Sequence, residues 1–245
     1  MNWAWFFDID GTLVEIANTP DSIIVHDEMP PLLGRLHFLT SGAVALITGR
    51  AIADVDRLLS LRGITIAGQH GLEIRMASGE TITHAEEEES LALVRAALLD
   101  AVARHRGLVL EYKGLTVALH YRDAPRLAGY AHRLMRGLRD QHVPDFVIQR
   151  GKRVVELKPA GRDKGVAIAE LMRTEPFIGR IPVFIGDDIT DENGFKAVNR
   201  AGGHSIKIGP GRTNARWRIR DVTTLREWLR SGMDAVMETA VMVNA

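Results

Sequence analysis

The sequence predicts an α/β protein: a Rossmann-like, doubly wound parallel sheet carrying a smaller inserted α/β unit. Apolar runs of strand length alternate with segments of helical spacing, the rhythm of parallel βα units. The middle of the chain breaks that rhythm and reads as helix, strand, strand, helix, strand, strand. Polar clusters stand where the apolar runs end, and doubly wound sheets bind ligands beyond the carboxyl ends of their strands. With 245 residues, 46% of them apolar, the chain can bury a substantial core.

The first strand is read over residues 3 to 8, inside a run that ends in Phe6-Phe7-Asp8-Ile9-Asp10-Gly11-Thr12-Leu13. Pro30-Pro31 opens a segment with Leu32, Leu33, Leu36 and Leu39 at helical spacing, as proline does at a helix start. Strands follow at 43 to 47, ending in Thr48-Gly49-Arg50, and at 64 to 67. Glu86-Glu87-Glu88-Glu89 then precedes Leu91, Val94, Leu98 and Val102, an amphipathic helix whose first turn holds the negative charge that its dipole favours. Leu108 to Tyr112 and Leu115 to Tyr121 flank Lys113-Gly114 and read as a hairpin. A helix from about 125 to 141 and strands near 145 to 149 and 153 to 157 complete this unit. Lys164 opens a helix over Val166 to Leu171, and a strand at 182 to 185 runs into Gly186-Asp187-Asp188-Ile189-Thr190-Asp191-Glu192. These limits give a core of residues 1–75 and 156–245 around an inserted domain of residues 76–155. The tail from Met233 to Ala245 carries no motif.

Lysine plus arginine and aspartate plus glutamate each number 31, so the formal net charge is zero and no global field favours nucleic acid. The absence of cysteine excludes disulfides, thiol catalysis and zinc–thiolate sites and agrees with a cytoplasmic setting. Met1 to Asp8 lacks a basic leader, and its apolar run is too short for a signal or membrane segment. The expected partner is a small molecule, with neither nucleic acid nor membrane.

Asp8 and Asp10 stand at i, i+2 spacing where the first strand ends. A buried strand gains nothing from two negative charges at its exit. Asp and Gly favour plain turns as well, but Thr48-Gly49-Arg50, Lys164 and Gly186-Asp187-Asp188 add polar clusters at further strand exits or helix entries. The pattern points to a chemical site containing a cation.

That chain order resembles the haloacid dehalogenase superfamily of phosphatases. The fuller pattern adds Gly68-Gln69-His70-Gly71, His120-Tyr121-Arg122, and Glu156-Leu157-Lys158-Pro159 with Lys164-Gly165. It is similar to the trehalose-6-phosphate phosphatase family and spans residues 6 to about 209. The resemblance implies the haloacid dehalogenase fold, with the 76–155 unit a cap that closes over the sugar while the core handles phosphate. It implies Asp8 as nucleophile, forming an aspartyl-phosphate, and Asp10 as the acid that protonates the departing sugar oxygen and then the base that activates water. Thr48 and Lys164 would bind the transferring phosphoryl group. A lysine at a helix start opposes the dipole, a penalty that a bound phosphate reverses.

Mg²⁺ prefers few protein oxygens together with water and phosphate. The implied ligands are Asp8, the Asp10 carbonyl and Asp187, with Asp188 as a further carboxylate and Asp191 behind them. Ordinary helix-start charge also accounts for Asp188 and Asp191. Sugar binding falls to Glu156 and Lys158, with Glu111, Lys113 and Arg122 on the cap and Gly49, Arg50 and His70 nearer the core. His120 and Tyr121 also read as packing residues. The implied reaction is hydrolysis of trehalose 6-phosphate to trehalose and phosphate, with a functional link to a trehalose-6-phosphate synthase. Another sugar phosphate, such as sucrose phosphate or mannosyl phosphoglycerate, is the alternative substrate. A phosphosugar-binding regulator without turnover is the alternative class, against which the paired Asp8 and Asp10 argue.

Overall fold

The computed structural model describes residues 2–16, 23–59, 61–85 and 89–243, with side chains as far as 235. The chain opens with β1 (Trp3–Phe7), α1 (Met29–Leu39), β2 (Val44–Ile47), α2 (Ile52–Leu59) and β3 (Thr65–Gly68), followed by two short strands, β4 (Glu73–Arg75) and β5 (Thr81–Thr83). The inserted part comprises α3 (Glu89–Arg104), β6 (Val109–Tyr112), β7 (Val117–His120), α4 (Ala128–His142), β8 (Phe146–Gly151) and β9 (Val154–Pro159). The chain then returns through α5 (Lys164–Leu171), β10 (Ile181–Gly186), α6 (Glu192–Arg200), β11 (His204–Ile208), β12 (Trp217–Ile219) and α7 (Val222–Val243).

Eight strands form the larger sheet in the order β12-β11-β10-β1-β2-β3-β4-β5. β1 lies near its centre, paired in parallel with β10 on one side and β2 on the other. Alternate residues of a strand face opposite ways, and β1 shows the consequence. Trp5 and Phe7 join a core with α1, α2 and α7, whereas Ala4 and Phe6 join a second core with α5 and α6. Burial on both faces explains why the parallel strands read as unbroken apolar runs. The smaller sheet is antiparallel, in the order β6-β7-β9-β8, and packs one face against α3 and α4 around Leu91, Leu98, Met135, Val117 and Leu157.

The α/β architecture with a mostly parallel central sheet is the one expected. The sheets divide the chain elsewhere than at residues 76 and 155, however. β4 and β5 extend the large sheet as an antiparallel edge, and Thr81–Thr83 is exposed throughout, so no apolar alternation announces it. At the other end, β9 stays paired with β8 as far as Pro159 opposite Phe146, which gives Glu156 and Lys158 to the smaller sheet. The helix expected from 125 begins as a single 3₁₀ turn, and α4 proper starts at Ala128. Glu89 stands in the first turn of α3, while Glu86 to Glu88 lie outside the described residues, as do the side chains of most of the tail. No described helix is long and apolar enough to cross a membrane.

Candidate active site

The motif residues meet at the carboxyl ends of β1, β2 and β10, under the smaller sheet. Asp8 follows β1, and its N–H donates to the Ile185 carbonyl at 2.9 Å. Gly11 has φ +82° in the next turn, and a Cβ there would collide with the Asp187 carboxylate, so glycine lets the two loops close together. α5 is capped by Asp163, which accepts from Val166 N at 2.9 Å. This turn delivers Lys164, 2% exposed, whose Nζ donates to Asp8 Oδ1 at 2.7 Å and to Asp191 Oδ1 at 2.6 Å. Asp191 Oδ2 accepts the N–H groups of both Asp187 and Asp188 at 2.8 Å. The Lys207 ammonium, from β11, donates to the Asp187 carbonyl.

Among the described residues, Asp8, Asp187 and Asp191 each offer an oxygen within 4.8 Å of the others. Burial first, then Asp191, pushes the Asp8 carboxyl well above the usual carboxylate range, against the pull of Lys164. Burial, with Asp191 and Asp188, pushes Asp187 up to about 7. Asp187 Oδ1 is buried and has no partner among the described residues. Burial opposes the charge on Lys164, yet Asp191 and Asp8 hold it above the ordinary lysine range. The three carboxylates crowd one another more than Lys164 offsets, and an all-oxygen donor set with an orphaned buried oxygen fits a hard divalent cation. Asp188 stands differently from expectation: it lines the cleft, but its carboxylate caps the following turn in a reciprocal pair with Asp191 and accepts from Lys152 N at 3.2 Å. Asp191, expected behind the ligands, belongs to the converging trio.

Arg50 grips Asp10 with two parallel bonds, Nε to Oδ2 at 2.7 Å and an η nitrogen to Oδ1 at 2.8 Å. Thr48 is fully buried and its Oγ1 accepts from Arg50 N at 3.1 Å; it is not among the cleft-lining residues. From the smaller sheet, Lys113 Nζ reaches across to the Gly49 carbonyl at 2.8 Å and to Glu156 Oε1 at 3.1 Å, with Glu111 Oε2 at 3.8 Å. Thr116 donates to Glu156 Oε1 at 2.7 Å, and His120 Nε2 lies 2.7 Å from Glu111 Oε2. Although burial opposes ionisation, Lys113 and His70 hold Glu156 well below the usual carboxylate range. Lys113 and His120 do the same for Glu111, again against burial.

One cleft is therefore lined by Asp8, Asp10, Gly49, Arg50, His70, Glu111, Lys113, Arg122, Glu156, Lys164, Asp187 and Asp188. Lys158 does not reach it: the side chain is buried, its ammonium donates to the Arg162 carbonyl, and burial lowers its pKa. The resemblance paired Lys158 with Glu156 two residues before it, but Lys158 lies near the end of β9, where the turn at Arg162 takes its ammonium. Gln149 and Lys152, absent from the sequence reading, also line the cleft. Gln149 had a usable signal, a polar side chain directly opposite Glu156 in the β8–β9 register. Lys207 had one as well, a lysine inside the buried strand His204–Ile208, since lysine is rarely buried unless paired. Lys152 sits in a turn, where a lysine carries no signal.

The fold and the carboxylate-rich cleft first define a class, the haloacid dehalogenase-type hydrolases of phosphoric monoesters. The C-terminal domain of Candida albicans trehalose-6-phosphate phosphatase has the same fold, with a TM-score of 0.82 at 21% identity over 93% of this chain and 90% of that one. The trehalose-phosphatase family model matches residues 6–223, and the chain belongs to that family. It is 44% identical to the trehalose-6-phosphate phosphatase of Escherichia coli over 232 residues, 93% of this chain and 85% of that protein. It is also 44% identical to a probable trehalose-phosphate phosphatase of Sinorhizobium fredii over 209 residues, 85% of this chain and 78% of that protein. The chain is accordingly a phosphoric monoester hydrolase.

Proposed function

We propose that this enzyme hydrolyses trehalose 6-phosphate to trehalose and inorganic phosphate, with Mg²⁺ at the carboxylate trio. The observation that carries the chemistry is the fixed triad of Asp8, Lys164 and Asp191 at the floor of the cleft. Lys164 orients Asp8 for attack on phosphorus while the sugar oxygen leaves with a proton from Asp10. Asp10 then takes a proton from water, which attacks the aspartyl-phosphate, breaks its bond to Asp8 and frees phosphate. The Arg50 guanidinium occupies both oxygens of Asp10 in the resting enzyme, so Asp10 comes free for proton transfer when Arg50 turns to another anion. The incoming phosphate is such an anion, and arginine matches its geometry. Asp8 and Asp187 would hold the cation, with Asp191 beside them. Bound there, it supplies positive charge against the phosphate and the attacking carboxylate.

Sugar recognition is assigned to Glu156, Glu111, Lys113 and Arg122. Trehalose offers hydroxyls and no charge beyond its phosphate, so it needs ionised carboxylates to accept and cations to donate. Both carboxylates are held ionised by their neighbours. Thr48 would act through its bond to the Arg50 backbone, and Lys158 as a support for the loop at Arg162. A synthase of trehalose 6-phosphate would supply the substrate, in a cytoplasmic setting.

The test is phosphate release from trehalose 6-phosphate beside glucose 6-phosphate, sucrose 6-phosphate and mannosyl phosphoglycerate, with Mg²⁺ and with a chelator. Selective, metal-dependent release from trehalose 6-phosphate supports the reading. Preference for another ester overturns the sugar assignment, and release that is indifferent to the chelator overturns the metal.

A further inference from the structure

We propose that His70 is a positioning residue that fixes the orientation of Glu156, and thereby the affinity for the sugar, without itself binding the substrate. The inference rests on the reading of Glu156 as an acceptor for sugar hydroxyls.

The backbone is built to turn this ring inward. Gln69, His70 and Gly71 have φ values of +45°, +60° and +91°. Two consecutive non-glycine residues in the left-handed region are strained and persist only where the surroundings hold them. Here Gln69 N donates to the Arg50 carbonyl and His70 N to the Thr48 carbonyl, both at 2.8 Å. The turn is thus clipped to the segment that carries Gly49. The ring lies so close to Gly49 that a Cβ on that residue would stand 2.7 Å from His70 Cε1. Glycine at 49 is what the imidazole requires.

At the other end of the ring, Nε2 lies 3.1 Å from Glu156 Oε2, and Gln149 Nε2 lies 2.6 Å from the same nitrogen. Gln149 is the register partner of Glu156 across β8 and β9. One nitrogen carries at most one proton; the ionised Glu156 claims it, and the Gln149 amide then meets that N–H through its oxygen, the two ends of the amide being interchangeable by a flip. Burial lowers the His70 pKa, against the pull of Glu156 and with Lys164 and Lys113 also opposing a second proton. The ring is therefore neutral, with its proton on Nε2. Nδ1 is buried with no partner among the described residues, as suits a bare nitrogen better than a buried donor.

The acceptor count of Glu156 then becomes informative. An ionised carboxylate has about four lone-pair sites. Thr116 and Lys113 take two at Oε1, and His70 takes one at Oε2. One acceptor direction is left over, and its aim depends on all three donors. Thr116 and Lys113 belong to the smaller sheet and its hairpin, although Lys113 also bonds the Gly49 carbonyl, so His70 is the one of these three donors that the core itself carries, on the turn clipped to the Gly49 segment. The Nε2 proton of His70 is given to Glu156 and its Nδ1 is buried, so the ring has no polar group left for a sugar.

The experiment is a double-mutant cycle on the full chain: His70→Asn, Glu156→Gln and the pair, each assayed on trehalose 6-phosphate and on p-nitrophenyl phosphate, which has no sugar to recognise. Asparagine tolerates the left-handed backbone, and melting curves confirm that each variant folds. His70→Asn is expected to raise KM for trehalose 6-phosphate about tenfold or more, the loss of one hydrogen bond to a charged group, with a much smaller change in kcat and in aryl phosphate hydrolysis. In the Glu156→Gln background the same change is expected to add little. His70→Gln, whose amide N–H can reach toward Glu156, should recover part of the lost affinity. Additive effects in the double variant, or equal losses on both substrates, overturn the proposal. An unchanged KM in Glu156→Gln overturns instead the reading of Glu156 on which it rests.

Discussion

The two ends of the cleft solve opposite electrostatic problems. At the core end, Asp8, Asp187 and Asp191 crowd one another, burial raises two of them, and one oxygen is left orphaned. At the cap end, Glu156 is as deeply set and Glu111 half-buried, but they are surrounded by Lys113, Thr116, His70 and His120, and both are pulled down against burial. A frustrated cluster has free energy to gain from an incoming cation, whereas a satisfied one has none. A satisfied cluster instead presents a fixed array of acceptors and donors, which suits a neutral polyol. The difference separates chemistry from recognition within one cavity.

The largest expected effect breaks the core end outright. Asp8→Asn keeps the shape and removes the nucleophile, and kcat should fall by about 10⁴-fold or more, the scale seen when an acting nucleophile is removed. Retained turnover in a folded Asp8→Asn enzyme would exclude the covalent mechanism. A second test sharpens the contrast through stability. Because the carboxylate trio gains a counter-charge, added Mg²⁺ should raise Tm by a few degrees, as any ligand of the native state does. The gain should shrink in Asp187→Asn and survive in Glu156→Gln. An equal shift in all three proteins would place the cation elsewhere.

A smaller effect has opposite signs at the two ends. In metal-free protein, the raised Asp187 lets the folded state bind more protons than the unfolded chain between the ordinary aspartate value and about 7, so its stabilising contribution is present at low pH and is lost as pH rises through about 7. The depressed Glu156 contributes stability above its unfolded value of 4.5, and this is lost as pH falls below it. Denaturant midpoints followed against pH should therefore show Asp187→Asn flattening the neutral side of the profile and Glu156→Gln the acid side. Flattening of the same side by both variants would contradict the contrast.

The legibility of the sequence follows the same division. The core end could be read because a buried parallel strand is apolar to its last residue, so charges at Asp8, Lys164 and Asp187 stand out against Phe7, Val166 and Ile185. The roles of Asp188 and Asp191 could not be separated, since both sit at one helix start and only capping geometry decides which oxygen faces backbone and which faces Lys164. At the cap end, the family motif brought Glu156 into the cleft but carried Lys158 with it, because a motif says nothing about where the chain folds over a strand's end. β5 was invisible for want of any buried face. His70 was legible as a motif residue, but its left-handed backbone and its grip on Glu156 belong to three dimensions.

The division of labour is tested most directly by Lys113→Met, which removes a side chain that bonds both Glu156 and the Gly49 carbonyl, with kcat/KM measured on trehalose 6-phosphate and on p-nitrophenyl phosphate. The ratio of the two should fall about tenfold or more, the worth of a lost charge-assisted hydrogen bond, with most of the change on the sugar substrate. A ratio that stays constant while both rates fall would show that the cap end serves the chemistry as much as the recognition, and would contradict the account.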